Sequence, residues 1–278
     1  MGVVEHIEAL QREGNLLAAS ADEVGIRAPI PTCPGWTIRD LLWHTGTVHR
    51  WAKTIVSEAR SYDPPDNEIA KIAGPICDEA LLVEWYRESL RQLVNALRDA
   101  PDDLSCWTSL PGAPPLAFWA RRQAHETAIH RVDAESARGD EISPIGVGFA
   151  ADGIDELLNG LHSRPKSRVR SPVPRVLRLH ATDELDEPGD WFLHISDEPL
   201  RVTRSHHAPS DCTLSGPVEL LYLAMWNRCR IDDLNVSGDG SLIKLWQETS
   251  PITWSLRPRS TIHECEYIRR TDHILTRC

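Results

Sequence analysis

The sequence predicts an α+β protein: an antiparallel four-helix bundle followed by a smaller α+β domain. Two observations lead there. Apolar residues recur at helical spacing through residues 3–162, whereas short alternating or apolar runs of strand length take over from residue 175. Between them lies Ser163 to Pro174, a basic stretch with three prolines that cannot continue a helix. Formal charge steps at the same place, with −10 on residues 1–164 and −1 on residues 165–278 of a total of −11. The expected organisation is a bundle over 1–164, a linker over 165–174, an α+β domain over 175–250 and an extension over 251–278 that shows no clear pattern.

The elements follow in order. Val4, Ile7, Leu10, Leu16 and Leu17 give a first helix within 3–24. Pro29 to Trp36 is turn-rich. Thr37 with Asp40 resembles a capping box in which Asp replaces the usual Glu, and it opens a second helix carrying Ile38, Leu41, Val48 and Ile55. A third helix is expected from about Asp78 to Leu97, a fourth from Pro114-Pro115 to about Ser136, and a fifth from about Phe149 to His162. Loops of moderate length between these helices suit antiparallel neighbours. Downstream, Arg175–His180, Trp191–Ile195 and Leu200–Thr203 read as strands, Val218–Cys229 as a buried helix and Leu242–Gln247 as a short one.

Composition excludes several classes of function. An acidic chain, with 30 Lys and Arg against 41 Asp and Glu, makes a poor binder of a phosphate backbone, so no nucleic-acid partner is expected. The longest apolar run, Leu220 to Trp226, is far short of the roughly 18 residues a membrane span needs. The N-terminus lacks the basic start and apolar stretch of a signal peptide, and a cytoplasmic location is the expectation. Cysteines at 33, 77, 106, 212, 229, 265 and 278 never form Cys-x-x-Cys, which excludes the common zinc-knuckle spacings and argues against a disulfide framework.

The fourth helix carries chemistry. At about 100° per residue, Leu116, Trp119, Ala120, Gln123 and Thr127 share one face, which should point inward. Glu126 and His130 fall on or beside that stripe with Asp133 nearby, and Arg121, Arg122 and Arg131 fall outside it. A carboxylate turned toward an apolar interior is costly unless it is paired or holds a cation. Glu126 and His130 are four apart and therefore neighbours, and His44 lies on the inward side of the second helix. His44, Glu126 and His130 could hold one cation: two nitrogens and an oxygen suit zinc, with a position left open for chemistry. Asp133 could orient His130. His49, about 140° round the helix from His44, is expected to face elsewhere. Spacing alone also allows the plainer reading of Glu126 and His130 as an ordinary hydrogen-bonded pair, His44 as a satisfied core histidine and Asp133 as an arginine's partner.

Three segments shift that balance. Pro31-Thr-Cys-Pro-Gly-Trp-Thr-Ile-Arg-Asp-Leu-Leu-Trp-His44 with Val48-His-Arg-Trp51, Arg122-Gln-Ala-His-Glu-Thr-Ala-Ile-His-Arg-Val-Asp-Ala-Glu135, and Leu214 to Arg228 followed by Val236-Ser-Gly-Asp239 stand in order along the chain. Together they resemble the mycothiol-dependent maleylpyruvate isomerase family, of the DinB-like helical-bundle superfamily. The resemblance implies a divalent metal, usually zinc, on His44, Glu126 and His130, with mycothiol as thiol cosubstrate. It also implies a role for Arg228 in binding or polarising substrate; the simpler reading is an arginine that closes a helix C-terminus. Cys33 reads as a structural thiol in a turn.

The expected chemistry is thiol ionisation on the metal, followed by thiolate attack on a small-molecule electrophile. A retained adduct makes the protein an S-transferase, the first expectation. An adduct that rotates and expels the thiol makes it a cis–trans isomerase of the maleylpyruvate type. A metal-dependent hydrolase and a non-enzymatic metal-binding module are the remaining alternatives.

Overall fold

A computed structural model describes residues 1–75, 78–139, 142–185, 188–204 and 209–252. Residues 253–278 of the expected extension, and Cys77, lie outside the described residues, as therefore do Cys265 and Cys278. Helices and a sheet occupy successive parts of the chain, so the α+β class holds. The chain divides into two compact units, residues 2–143 and 144–252.

The first unit is helical: α1 (Val3–Val24), α2 (Ile38–Ser57), α3 (Asp66–Ala73), α4 (Leu82–Asp99) and α5 (Pro115–Ser136). Here α1 packs on α4 and α5, while α2 packs on α3, α4 and α5. Leu17, Ile30, Ile38, Leu41, Leu42, Tyr86 and Ala134 share one apolar core. Two glycines set the approach to α4. A Cβ at Gly14 would lie 2.4 Å from the Leu90 side chain and one at Gly46 would lie 2.2 Å from the Trp85 ring, so neither helix could come so near with a larger residue. Helix α3 was not expected: its only buried residue is Ala73, so it carries almost no apolar signal.

The second unit opens with α6 (Val147–Asp155), which runs into a π-helical segment, Glu156–His162. Strands β1 (Arg175–Ala181), β2 (Asp190–Ile195), β3 (Arg201–Thr203), β4 (Cys212–Gly216) and β5 (Asn235–Gly238) form one sheet in the order β3-β2-β1-β4-β5. β1 and β4 are parallel, with Leu179 opposite Leu214, and the other pairs are antiparallel. Helix α7 (Val218–Met225) packs on β1 and β4, and α8 (Ser241–Thr249) buries Leu242, Ile243 and Trp246.

Two expectations change. The units part at residue 143/144 rather than at the basic stretch 163–174, because α6 packs on α7: the Phe149 and Tyr222 rings meet edge-on at 6.4 Å, and the Ile145 N–H donates to Glu219 at 2.9 Å. Helix α7 also stops at Met225 rather than Cys229, since Asn227 adopts a positive φ of 59° that a helix cannot continue through. Among the described residues no helix is long and apolar enough to cross a membrane.

Candidate metal centre

The site is built where α2 meets α5. The start of α2 is fixed locally: the Asp40 carboxylate accepts the Thr37 backbone N–H at 2.9 Å and the Thr37 hydroxyl at 2.7 Å. The preceding loop is a tight hairpin, with the Ile30 N–H donating to the Trp36 carbonyl at 3.0 Å and the Ile38 N–H to the Ala28 carbonyl at 3.0 Å. Ile30 and Cys33 are buried and anchor it in the core.

Helix α5 is buried on nearly every side, because α1, α2 and α4 all pack against it. Most of its polar residues are therefore inside whether or not they lie on the expected stripe. Arg122 and Arg131, outside that stripe, are buried as well. Such groups must be satisfied within the protein.

His44, Glu126 and His130 come together, each with one ligand-type atom, all within 4.8 Å of one another. Glu126 Oε1 lies 3.5 Å from His44 Nε2 and 3.3 Å from His130 Nε2. The two imidazoles meet edge to face at 5.1 Å. The Arg122 guanidinium donates to the other carboxylate oxygen, Glu126 Oε2, at 3.1 Å. Asp133 Oδ2 lies 3.0 Å from His130 Nδ1, which turns Nε2 of that ring toward the cluster. Trp36 packs edge-on against His44 at 5.3 Å.

The donor set fits a divalent cation. Two ligands on a tetrahedral ion with bonds of about 2.0–2.1 Å stand roughly 3.3–3.4 Å apart, and the two Glu126–histidine separations are of that size. They are long for well-made N–H···O bonds, whose usual length is about 2.9–3.0 Å.

Electrostatics separates the members. Burial lowers the His44 pKa against the opposing pull of Glu126, so this ring is held neutral. Burial would also lower that of His130, but its bonds to Asp133 and Glu126 raise it to about 9. Burial would raise the Glu126 pKa; contacts with His130 and His44 and the nearby Arg122 charge win, and the carboxyl is held well below its usual range. The pocket is thus poised for positive charge beside an ionised Glu126.

Other residues fall as follows. His49 does not join the cluster; it is fully buried, with Nε2 2.9 Å from Thr127 Oγ1 and its ring 5.5 Å from Tyr86. In the second unit Arg228 follows α7 rather than lying in it, and its guanidinium donates to the Trp226 carbonyl at 2.8 Å. Sequence reasoning passed over Arg122 and Thr32. The i,i+4 spacing of Arg122 and Glu126 was a signal for the first. Nothing local marks Thr32, whose hydroxyl donates to Asp133 Oδ1 at 2.6 Å across 101 positions of chain.

A second polar cluster sits on the same helix. Arg131, fully buried, donates to Glu13 at 2.8 Å, to Glu135 at 2.6 Å and to the Ser143 carbonyl at 2.7 Å. Arg12 reaches Glu13 from the rim at 2.9 Å.

Comparison with known proteins bears on both units. Residues 7–135 match the family model of the mycothiol maleylpyruvate isomerase N-terminal domain, and residues 148–244 match that of the MDMPI C-terminal domain. A crystal structure of the mycothiol-dependent maleylpyruvate isomerase is similar in fold, with a TM-score of 0.54 at 16% identity over 85% of this chain and 93% of that one. A histidine-to-alanine mutant described under the same name gives a TM-score of 0.53 at the same identity and coverage. No curated protein matches the sequence. With both models matched in order over most of its length, the chain belongs to the mycothiol-dependent maleylpyruvate isomerase family.

Proposed function

We propose that this protein is a divalent-metal enzyme that uses mycothiol to isomerise a small unsaturated electrophile of the maleylpyruvate type. His44, Glu126 and His130 would hold the cation, zinc being the best match to two nitrogens and one oxygen. The observation that carries the reading is the convergence of these three side chains at ligand spacing, inside a chain whose family models carry the isomerase description. We further take α1, α2, α4 and α5 as the four members of a DinB-like antiparallel bundle.

When bound, a cation of this kind lowers the pKa of a coordinating thiol, so that thiolate is available at neutral pH. The chain's own residues prepare the place. Arg122 holds Glu126 Oε2, leaving Oε1 for the cluster, and Asp133 fixes the His130 ring. Glu126 is buried and the His44 and His130 side chains are each only 11% exposed, which limits their contact with water. The thiol held there would supply a thiolate that adds to one carbon of the double bond while the π pair moves onto the conjugated carbonyl; rotation about the new single bond and return of that pair would expel the thiolate and restore the double bond in the other geometry. No thiol is consumed. Arg228 is assigned to an anionic substrate group or to the polar end of the thiol, a role for which a guanidinium is suited.

S-transfer, in which the adduct is kept, shares the first step and takes second place because the family models carry the isomerase description. The test compares metal content and turnover of the wild type with His44→Ala and Glu126→Ala, using catalytic mycothiol and maleylpyruvate. Expected are metal in the wild type alone and many product molecules per thiol. Equal metal in all three proteins would refute the ligand set. Stoichiometric thioether would favour S-transfer, and turnover without thiol would favour hydrolysis.

A further inference from the structure

The hairpin between α1 and α2 touches His44 directly and reaches His130 through Asp133. Trp36 packs edge-on against His44. At the other end Thr32 reaches α5, where its hydroxyl donates to Asp133 Oδ1 at 2.6 Å and lies 3.1 Å from Ser136 Oγ. Ser136 in turn donates to the Asp133 backbone carbonyl at 2.7 Å. The Asp133 side chain is fully buried, and its second oxygen meets His130 Nδ1.

A carboxylate with one oxygen held by a hydroxyl and the other by an imidazole has little freedom to rotate. With a cation bound, that orientation would leave the His130 proton on Nδ1 and turn Nε2, the nitrogen facing Glu126, to the ion. The hairpin can exert this control because it is itself braced, by the Ile30–Trp36 and Cys33–Trp36 backbone bonds and by burial of Ile30 and Cys33.

We infer that Thr32 is a positioning residue for the metal centre, acting through Asp133 on His130, and that the hairpin Pro29–Thr37 orients both imidazoles together. This rests on the proposed metal site. Loss of the Thr32 hydroxyl loosens the Asp133 carboxylate and through it the ring that must present Nε2.

The experiment titrates the metal-free, full-length protein with Co2+ and compares wild type, Thr32→Val, Thr32→Ser, Asp133→Asn and His44→Ala. Thr32→Val is expected to weaken cobalt binding by about 10-fold, the low end of what loss of an outer hydrogen bond costs a metal site. Its visible cobalt bands should shift, its metal-free melting temperature should stay near that of the wild type, and Thr32→Ser should restore affinity and bands together. Should the valine variant not fold, Thr32→Ala removes the same hydroxyl and carries the same expectation. Wild-type affinity and bands in Thr32→Val overturn the inference, as does a loss that Thr32→Ser does not restore. If His44→Ala loses cobalt and Thr32→Val does not, this inference fails alone. If the wild type takes up no cobalt, the metal site fails and this inference with it.

Discussion

Helix α5 carries two buried polar clusters, and they are satisfied in opposite ways. Around Arg131 each contact is short and complementary: a guanidinium donates to two carboxylates and a carbonyl at 2.6–2.8 Å. Around Glu126 one carboxylate oxygen faces two imidazole nitrogens at 3.3 and 3.5 Å. The first cluster pairs its charges within itself, although Arg131 Nη2 is left without a hydrogen-bond partner. The second gathers ligand-type atoms about one place, at the spacing of ligands rather than of hydrogen bonds. Burial of charge alone would not separate a structural network from a candidate site; the direction of the donors does.

That contrast can be broken by substitution. Arg131→Met should cause the largest loss of stability, about 3–5 kcal/mol, because Glu13 and Glu135 would remain buried without their cation. Denaturant unfolding followed by circular dichroism reads it, and a loss below about 1 kcal/mol would mean that these charges are not paired as described. Glu126→Gln should do the reverse. Cation uptake is lost, while the metal-free protein should lose less stability than in Arg131→Met, since one buried cation rather than two carboxylates loses its counter-charge and the amide oxygen still accepts from Arg122. A stability loss as large as that of Arg131→Met would place Glu126 among structural groups.

The second unit offers a buried ionisable group of a third kind. His162 packs its ring against Trp246 at 4.9 Å, and burial, with Arg164 and Arg168 nearby, lowers its pKa to about 4. The unfolded chain takes up this proton near pH 6.5, the folded one only near pH 4. The stabilisation is therefore full above pH 6.5 and lost as pH falls through that window, at about 1.4 kcal/mol per pH unit. Amide exchange in α8 as a function of pH should show this slope in the wild type and a flatter one in His162→Gln. The smallest effect is expected at the surface. Arg91→Ala, which removes an exposed partner of Glu88, should stay within about 0.5 kcal/mol in the same denaturant assay used for Arg131→Met.

Much of this was legible in sequence where local chemistry decides the outcome. Thr37 and Asp40 mark the start of α2 because a capping box needs only four consecutive residues. Glu126, His130 and Asp133 are set by spacing within one helix, and His44 by its distance from that start. The inward stripe on α5 was less informative than it looked, since a helix covered on several sides buries Arg122 and Arg131 too. Strands β4 and β5 went unassigned for different reasons. Cys212–Gly216 alternates in burial but is short and rich in small residues, and Asn235–Gly238 is an exposed edge with no apolar face to read. Thr32 was beyond reach because its partner lies far along the chain.

The hairpin bracing has a consequence for which changes of length the chain can bear. Thr37 and Asp40 fix where α2 begins, so His44 points as it does because it stands a set number of residues beyond that cap. One residue added or deleted between Ile38 and His44 would swing the imidazole about 100° around the helix axis. Insertions before Gly25 or after Ser57 leave that angle alone. Spacing within this short stretch is thus as much a part of the site as the side chains themselves.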